Sequence, residues 1–80
     1  MLLIEISDTS LKFGREIKIP LYAKNNIQEF WLVNLVDKRL EVYRTPNTAK
    51  NLFQDIKILT DGSVSPLVAN FTLNIDELFG

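Results

Sequence analysis

The stretch "IQEFWLVNL", residues 27–35, decides the fold of this chain. It is an almost unbroken run of aromatic and aliphatic residues, and such a run is typical of a strand that is covered on both faces. It is far too short to cross a membrane as a helix. We therefore predict that it forms the central strand of a sheet, and the elements on either side are assigned from it.

A first strand is predicted before the central strand, over residues 1–7. Its side chains alternate, so one set of residues shares each face and the strand is apolar on both sides. One face carries Leu2, Ile4 and Ile6, and the other carries Leu3, Glu5 and Ser7.

The two strands are predicted to be joined by an amphipathic helix over about residues 12–24. Phe13, Ile17 and Leu21 recur every fourth residue and would form its apolar stripe. Gly14 costs about 1 kcal/mol relative to alanine inside a helix, and Pro20 removes a backbone donor, so the helix is expected to be kinked or to form properly only past Gly14.

A hairpin and a further strand follow the central strand. In "LEVYR", residues 40–44, Leu40 and Val42 share one face and Glu41 and Tyr43 the other, which we expect to be wet. The remaining segments are a strand at 52–59, an extended stretch around Pro66, a short edge strand in "NFTLNI" and one helical turn in "IDELF" that packs Leu78 and Phe79 onto the core.

These elements define an α/β (α+β) class with one domain over residues 1–80. The strand-helix-strand unit predicts that the strands before and after the helix are parallel, with hairpins extending one edge of the sheet. We expect a mixed sheet of about four or five strands, as an estimate from the element order. One main helix follows strand 1, and a short helical turn ends the chain.

Composition excludes several kinds of chemistry. The 80 residues contain no cysteine and no histidine, so disulfides, thiolate metal sites and the usual neutral-pH general base are all absent. A metal site would have to use carboxylate and carbonyl oxygens, which suits Mg²⁺, Mn²⁺ or Ca²⁺. The lack of cysteine favours a reducing, cytoplasmic setting, and no segment predicts a membrane span. The net charge of −1 gives no whole-molecule basic field.

Glu5 is the main candidate for a functional residue, because an ionised carboxylate inside an apolar strand needs a cation, a metal or several hydrogen bonds. The nearest bases in the chain are Lys12, Arg15 and Lys18. Lys18 is preferred, because its stem would run along the apolar stripe while its ammonium group reaches the strand. The alternative is that Glu5 lies on a solvated edge.

Two other groups of residues have alternative interpretations. Phe30, Trp31 and Tyr43 would stack on bases if exposed, but in such apolar strands they favour the core. One side of the predicted helix is basic and consists of Lys12, Arg15, Lys18 and Lys24. In one interpretation this side binds a phosphate backbone, and in the other it is an ordinary solvated helix face.

The block "IEISDTSLKFGREIKIPLYAKNNIQEFWLVNL" resembles the Uma family of restriction-endonuclease-like proteins, within the PD-(D/E)xK nuclease superfamily. The segments "RLEVYRTP", "GSVSPL" and "LNIDELFG" are also similar to the C-terminal hairpin and tail of that family. The resemblance therefore covers nearly all of the chain. The matching segments are specific to the family when taken together, whereas no single segment is decisive.

This resemblance implies a role for two residues. Glu5 matches the second acidic residue of the nuclease motif, a ligand for Mg²⁺ or Mn²⁺, and Lys18 matches the catalytic lysine near the scissile phosphate. The implied chemistry is metal-dependent hydrolysis of DNA. Glu5 and Lys18 are thus the predicted catalytic residues, with Glu5 also the predicted metal ligand.

The sequence departs from the family pattern in two places. The first metal-binding Asp of the family lies upstream of the glutamate strand, and only four apolar residues precede Glu5 here. Gly14 stands where the family has an Asp, although Arg15, Glu16 and Lys18 follow as expected. Asp8 is a candidate substitute ligand, but its position after a strand favours a cap.

We therefore expect the C-terminal part of a restriction-endonuclease-like fold that lacks its N-terminal segment and is inactive on its own. A homodimer or a partner chain that covers strand 1 is the expected partner, with DNA as the substrate. The alternative is a non-catalytic dimerisation or interaction module descended from such a nuclease.

Overall fold

The computed structural model describes residues 2–8, 14–67 and 69–79. It contains six strands, two α-helices and one π-helical turn in the described part of the chain. The strands are β1 (Leu2–Ser7), β2 (Glu29–Asn34), β3 (Arg39–Asn47), β4 (Leu52–Leu59), β5 (Ser63–Val64) and β6 (Leu73–Asn74). The π-helical turn is Gly14–Lys18, and the α-helices are α1 (Ile19–Lys24) and α2 (Ile75–Phe79).

The main sheet has the order β1-β2-β3-β4. β1 runs parallel to β2, whereas β3 and β4 are added as antiparallel neighbours. β5 and β6 form a separate two-stranded sheet. The predicted α+β class, with a mixed sheet and a parallel pair around the helix, is confirmed.

β2 is the centre of the molecule, as its sequence predicts, and every one of its residues is buried. Phe30 and Leu32 belong to a core cluster beneath α1, with Ile19, Ala23, Tyr43 and Phe53. Trp31 and Val33 belong to a second cluster on the opposite side, with Leu40, Val42 and Ile75. We call the two sides of the main sheet the helix face and the tail face.

The predicted apolar stripe of the helix is wrong. Ile17 is 53% exposed and Leu21 is 51% exposed, while the buried residues of the helix are Ile19 and Ala23. The chain begins this segment as a π-helical turn, which has more residues per turn than an α-helix and so shifts the spacing of its faces. Phe13 and the predicted start of the helix at residue 12 lie outside the described residues. No helix among the described residues is long and apolar enough to cross a membrane.

The prediction that one face of the hairpin is wet is also wrong. Glu41 is 1% exposed and Tyr43 is 6% exposed, because the helix segment covers the face of β3 on which both lie. Strand alternation placed these residues on one face correctly, but the helix that covers them comes from an earlier part of the chain.

The C-terminal segment covers the tail face. The predicted helical turn is present as α2, and its Leu78 and Phe79 pack against the tail-face cluster, as predicted. The expected short edge strand is β6, which pairs with β5 and not with the main sheet. Pro66 is buried in the connection that leads away from β5.

Candidate functional site

Glu5 lies on the helix face of β1, opposite Leu32 in the register with β2. Its side chain is 27% exposed, so it is neither fully buried nor fully in solvent. The Tyr22 hydroxyl donates a hydrogen bond to Glu5 Oε1 at 2.5 Å, and Lys18 Nζ lies 3.7 Å from the same oxygen. The structure thus brings together the two predicted site residues, Glu5 and Lys18, although the apolar stripe that was expected to guide Lys18 faces solvent.

Tyr22 is a third member of this site that the sequence analysis missed. Its hydrogen bond to Glu5, together with burial and the negative charge of Glu5, raises the pKa of Tyr22 to about 12. Tyr22 therefore stays protonated and remains a donor at any physiological pH. The available signal was its spacing of four residues from Lys18, which places both side chains on the same side of a helix.

Arg15, another candidate partner for Glu5, contacts Glu41 of β3 instead. Arg15 Nε donates to Glu41 Oε1 at 3.3 Å, and Arg15 Nη2 donates to Glu41 Oε2. The Tyr43 hydroxyl donates to Glu41 Oε1 at 2.6 Å, and Asn34 Nδ2 donates to Oε2 at 3.0 Å. Arg15 therefore connects the π-helical turn to the sheet, although its side chain is still 39% exposed.

This set of donors keeps Glu41 ionised. Burial alone raises the pKa of Glu41, but the hydrogen bonds from Arg15, Tyr43 and Asn34 outweigh burial, so the pKa lies below its ordinary value of 4.5. The same contact raises the pKa of the Arg15 guanidinium. The ion pair between the buried Glu41 carboxylate and Arg15 connects the π-helical turn, and Lys18 within it, to β3 of the sheet.

A second buried acid, Glu29, lies on the tail face. Its Oε2 accepts hydrogen bonds from Arg44 Nε at 2.7 Å and from Trp31 Nε1 at 2.9 Å, and its Oε1 accepts from the Leu67 backbone at 2.8 Å. Arg44 Nη2 also donates to the Ser65 carbonyl at 2.7 Å. This network ties the C-terminal segment to the sheet and is remote from Glu5, because it lies on the opposite face.

The fit of a divalent cation depends on Glu5. Mg²⁺ is commonly held by one or two carboxylates, with waters and substrate phosphate oxygens completing its coordination. Both polar contacts of the Glu5 carboxylate described above fall on Oε1, and a hard carboxylate oxygen is the donor that Mg²⁺ or Mn²⁺ prefers. Glu5 therefore fits one ligand position. No group of three or more acidic side chains gathers within the described ranges, and Asp8 is exposed just after β1.

The aromatic residues of the central strands belong to the core. Phe30, Trp31 and Tyr43 are all buried, as strands of this composition favour. Their rings pack on neighbouring rings, with Tyr22 and Phe30 5.1 Å apart between centroids and Phe30 and Tyr43 5.8 Å apart. They offer no exposed stacking platform.

The fold and the contact between Glu5 and Lys18 agree with what the sequence resemblance implied. In an α+β domain, a glutamate of β1 faces a lysine of the following helix segment. The model of the Uma2 family, described as "Putative restriction endonuclease", matches residues 1–76. The chain belongs to this family, as the sequence resemblance indicated. A search of curated proteins finds no match to the chain.

Proposed function

We infer that this chain carries the glutamate–lysine part of a metal-dependent DNA endonuclease site. The observation that carries this inference is the contact between Lys18 Nζ and Glu5 Oε1 at 3.7 Å, in a chain of the Uma2 family. Glu5 would hold Mg²⁺ or Mn²⁺, and Lys18 would contact the phosphate.

Glu5, Lys18 and Tyr22 each have a distinct task in the proposed site. When bound, the cation polarises the phosphodiester and lowers the pKa of a water. The Lys18 ammonium group donates hydrogen bonds to phosphate oxygens and stabilises the negative charge that develops on them. Tyr22 donates to Glu5 Oε1 and orients the carboxylate, which keeps the other carboxylate oxygen available to a cation.

The isolated chain is proposed to be inactive, or nearly so, because Glu5 supplies one carboxylate and no group of three or more acidic side chains gathers within the described residues. A homodimer or a partner chain would have to supply the second one. A non-catalytic dimerisation or interaction module is the second candidate function, and the observation that favours it is the unpaired outer edge of β1 within the described part of the chain. A cytoplasmic location stays a prediction.

Binding of Mn²⁺ tests the metal site without relying on catalysis. We expect purified protein to bind Mn²⁺ and Glu5→Gln to lose that binding, because the amide removes the anionic ligand but keeps the shape of the side chain. Glu16→Gln is the matched control, because Glu16 is an exposed acid on the same π-helical turn as Lys18. Equal Mn²⁺ binding by wild type and Glu5→Gln would contradict the proposed metal site.

Nicking of supercoiled plasmid DNA tests the catalytic part. The isolated chain is expected to leave the plasmid intact with Mg²⁺ or Mn²⁺. If a partner protein restores nicking, Glu5→Gln and Lys18→Met should each lower it about 100-fold or more, the usual effect of removing a group that stabilises transition-state charge. Lys24→Met, at an exposed lysine of α1, should retain activity. Metal-dependent nicking by the isolated chain, lost in Glu5→Gln, would show that its site is already complete.

A further inference from the structure

β1 is an edge strand whose outer side is open. It pairs with β2 on one side, and no strand in residues 2–8, 14–67 or 69–79 pairs with the other. Its register with β2 is regular over all six residues, without a bulge. The strand also lacks the lysine or proline by which natural edge strands commonly block pairing. Ile4 is 47% exposed and Ile6 is 70% exposed. This edge is therefore competent to pair with another strand.

The other edge of the sheet, β4, has a different chemistry. On the tail face, where β1 carries Ile4 and Ile6, β4 carries the charged residues Asp55 and Lys57 in addition to Leu59. Joining β1 of one molecule to β4 of the next would place isoleucines beside these charges. Such a head-to-tail contact would also generate an open chain of molecules rather than a closed dimer. The edge of β4 is thus a poor partner for β1.

We propose that β1 pairs antiparallel with β1 of a second copy of this chain, about a two-fold axis at Ile4. The two four-stranded sheets then become one continuous sheet. In this arrangement Ile4 lies opposite the partner's Ile4, and Leu2 lies opposite the partner's Ile6. The exposed isoleucines of β1 become cross-strand apolar pairs, which is the unit of stabilisation in a sheet.

Side-chain alternation and charge select this register. Faces stay continuous only when residues of the same parity are paired, since a slip by one residue turns the apolar set to the other face. Two such registers retain most of the strand, one centred on Ile4 and one centred on Glu5. The second would place two Glu5 carboxylates directly opposite each other, and like charges in that position are destabilising. The register centred on Ile4 places Glu5 opposite the partner's Leu3.

This pairing deepens the second candidate function, a dimerisation module, and rests on the same open edge of β1. It does not depend on the proposed nuclease function, so its test needs neither metal nor DNA. Sedimentation velocity in EDTA over a wide range of protein concentration should show a dimer. Ile4→Lys should be monomeric, because a lysine at the axis would meet the partner's lysine. Ile58→Lys is the matched control, since Ile58 on β4 is also 47% exposed, and this variant should still dimerise. A wild-type monomer at every concentration, or equal dimerisation by Ile4→Lys, would overturn the proposal.

Disulfide formation between introduced cysteines tests the register in which the two β1 strands pair. This experiment tests the proposed dimer even if Ile4→Lys fails to fold. The chain has no cysteine, so a single introduced cysteine reports one site. Directly opposite residues have Cα atoms about 4.5–5.5 Å apart, within disulfide range. In the proposed register the two Glu5 positions are diagonal, about 7–8 Å apart, and therefore out of range. Under mild oxidation Ile4→Cys should form a covalent dimer and Glu5→Cys should not. The reverse result would overturn the register.

Discussion

At the scale of single residues, the three glutamates on strands β1 to β3 differ in how their charge is stabilised. Glu5 is partly exposed and contacts Tyr22 and Lys18. Glu29 and Glu41 are fully buried, and each pairs with an arginine and accepts hydrogen bonds from neutral groups. A buried ion pair of this kind is costly to break from one side, because the remaining charge has no compensation. Glu29 and Glu41 are therefore assigned structural roles, and Glu5, which is partly exposed, is the glutamate that we propose as the metal ligand.

The first prediction concerns Glu41 and pH. Because the pKa of Glu41 is lower in the folded protein than its ordinary value of 4.5, Glu41 stabilises the fold above that pH. This contribution is lost as pH falls through the folded-state pKa. Urea unfolding followed by the fluorescence of Trp31 between pH 7 and pH 3, a range chosen to span about the carboxylate titration, should show stability falling below about pH 4.5.

Glu41→Gln should be less stable than wild type at neutral pH and should lose less stability on acidification, because it has no charge to titrate at this position. Glu77→Gln, at an exposed position of α2, is the control and should follow wild type. The same loss of stability with pH in Glu41→Gln and wild type would contradict the assignment.

The second prediction concerns Glu29. Glu29→Ala leaves Arg44 Nε, Trp31 Nε1 and the Leu67 N–H without their shared acceptor. We expect the free energy of unfolding to fall by about 3–5 kcal/mol, the usual cost of removing one partner of a buried ion pair. Chemical denaturation measures this change. Glu77→Ala should stay within about 0.5 kcal/mol of wild type, as expected for an exposed substitution. A loss below that of the control would show that the network contributes nothing.

At the scale of elements, the orientation of the helix segment decides the site. α1 buries Ile19 and Ala23 against the sheet, and Arg15 fixes the preceding π-helical turn on Glu41. Lys18, between these two anchors, is thereby brought to Glu5. The segment is short, so packing and the ion pair position it rather than intrinsic helix propensity.

The third prediction tests that orientation with two isoleucines of the same segment. Ile19→Ala should lower the free energy of unfolding by about 2–5 kcal/mol, because it removes a side chain from the helix-face core. Ile17→Ala should change it by about 0.5 kcal/mol or less, since this side chain is more than half exposed. Thermal or urea unfolding provides the comparison. If Ile17→Ala proved the more damaging variant, the stripe expected from the sequence would be correct and the observed orientation wrong.

At the scale of the whole molecule, no strand among the described residues pairs with the outer edge of β1 in the main sheet. The helix segment covers one face and the C-terminal segment covers the other, but Ile4 and Ile6 at the β1 edge remain exposed. A chain of 80 residues buries a limited fraction of its surface, so an added strand pairing matters to its stability. Stability is therefore expected to be linked to self-association.

The fourth prediction follows from that linkage. Because dimerisation stabilises the folded state by mass action, the Tm of wild type should rise with protein concentration. Ile58→Lys should behave in the same way, whereas the Tm of Ile4→Lys should not depend on concentration. Differential scanning calorimetry over a series of concentrations makes the measurement. A wild-type Tm that stays constant over that series would argue against the dimer.

The sequence by itself determined the strands of the main sheet and their order. The continuous run in β2 and the alternation in β1 and β3 are local patterns, so strand positions, the parallel β1–β2 pair and the predicted face of each residue of β1 agree with the structure. The family was also readable from the sequence, because its motifs extend along nearly the whole chain.

Only the tertiary structure decided which partner each charged residue found. Lys12, Arg15 and Lys18 were all within reach of Glu5 in sequence, yet Arg15 pairs with Glu41, which lies 26 residues away. The covering of Glu41 and Tyr43 likewise depends on a helix from an earlier part of the chain. Strand patterns are set by short-range alternation, whereas ion pairs and covered faces are set by contacts between segments distant in sequence, and no local spacing encodes those contacts.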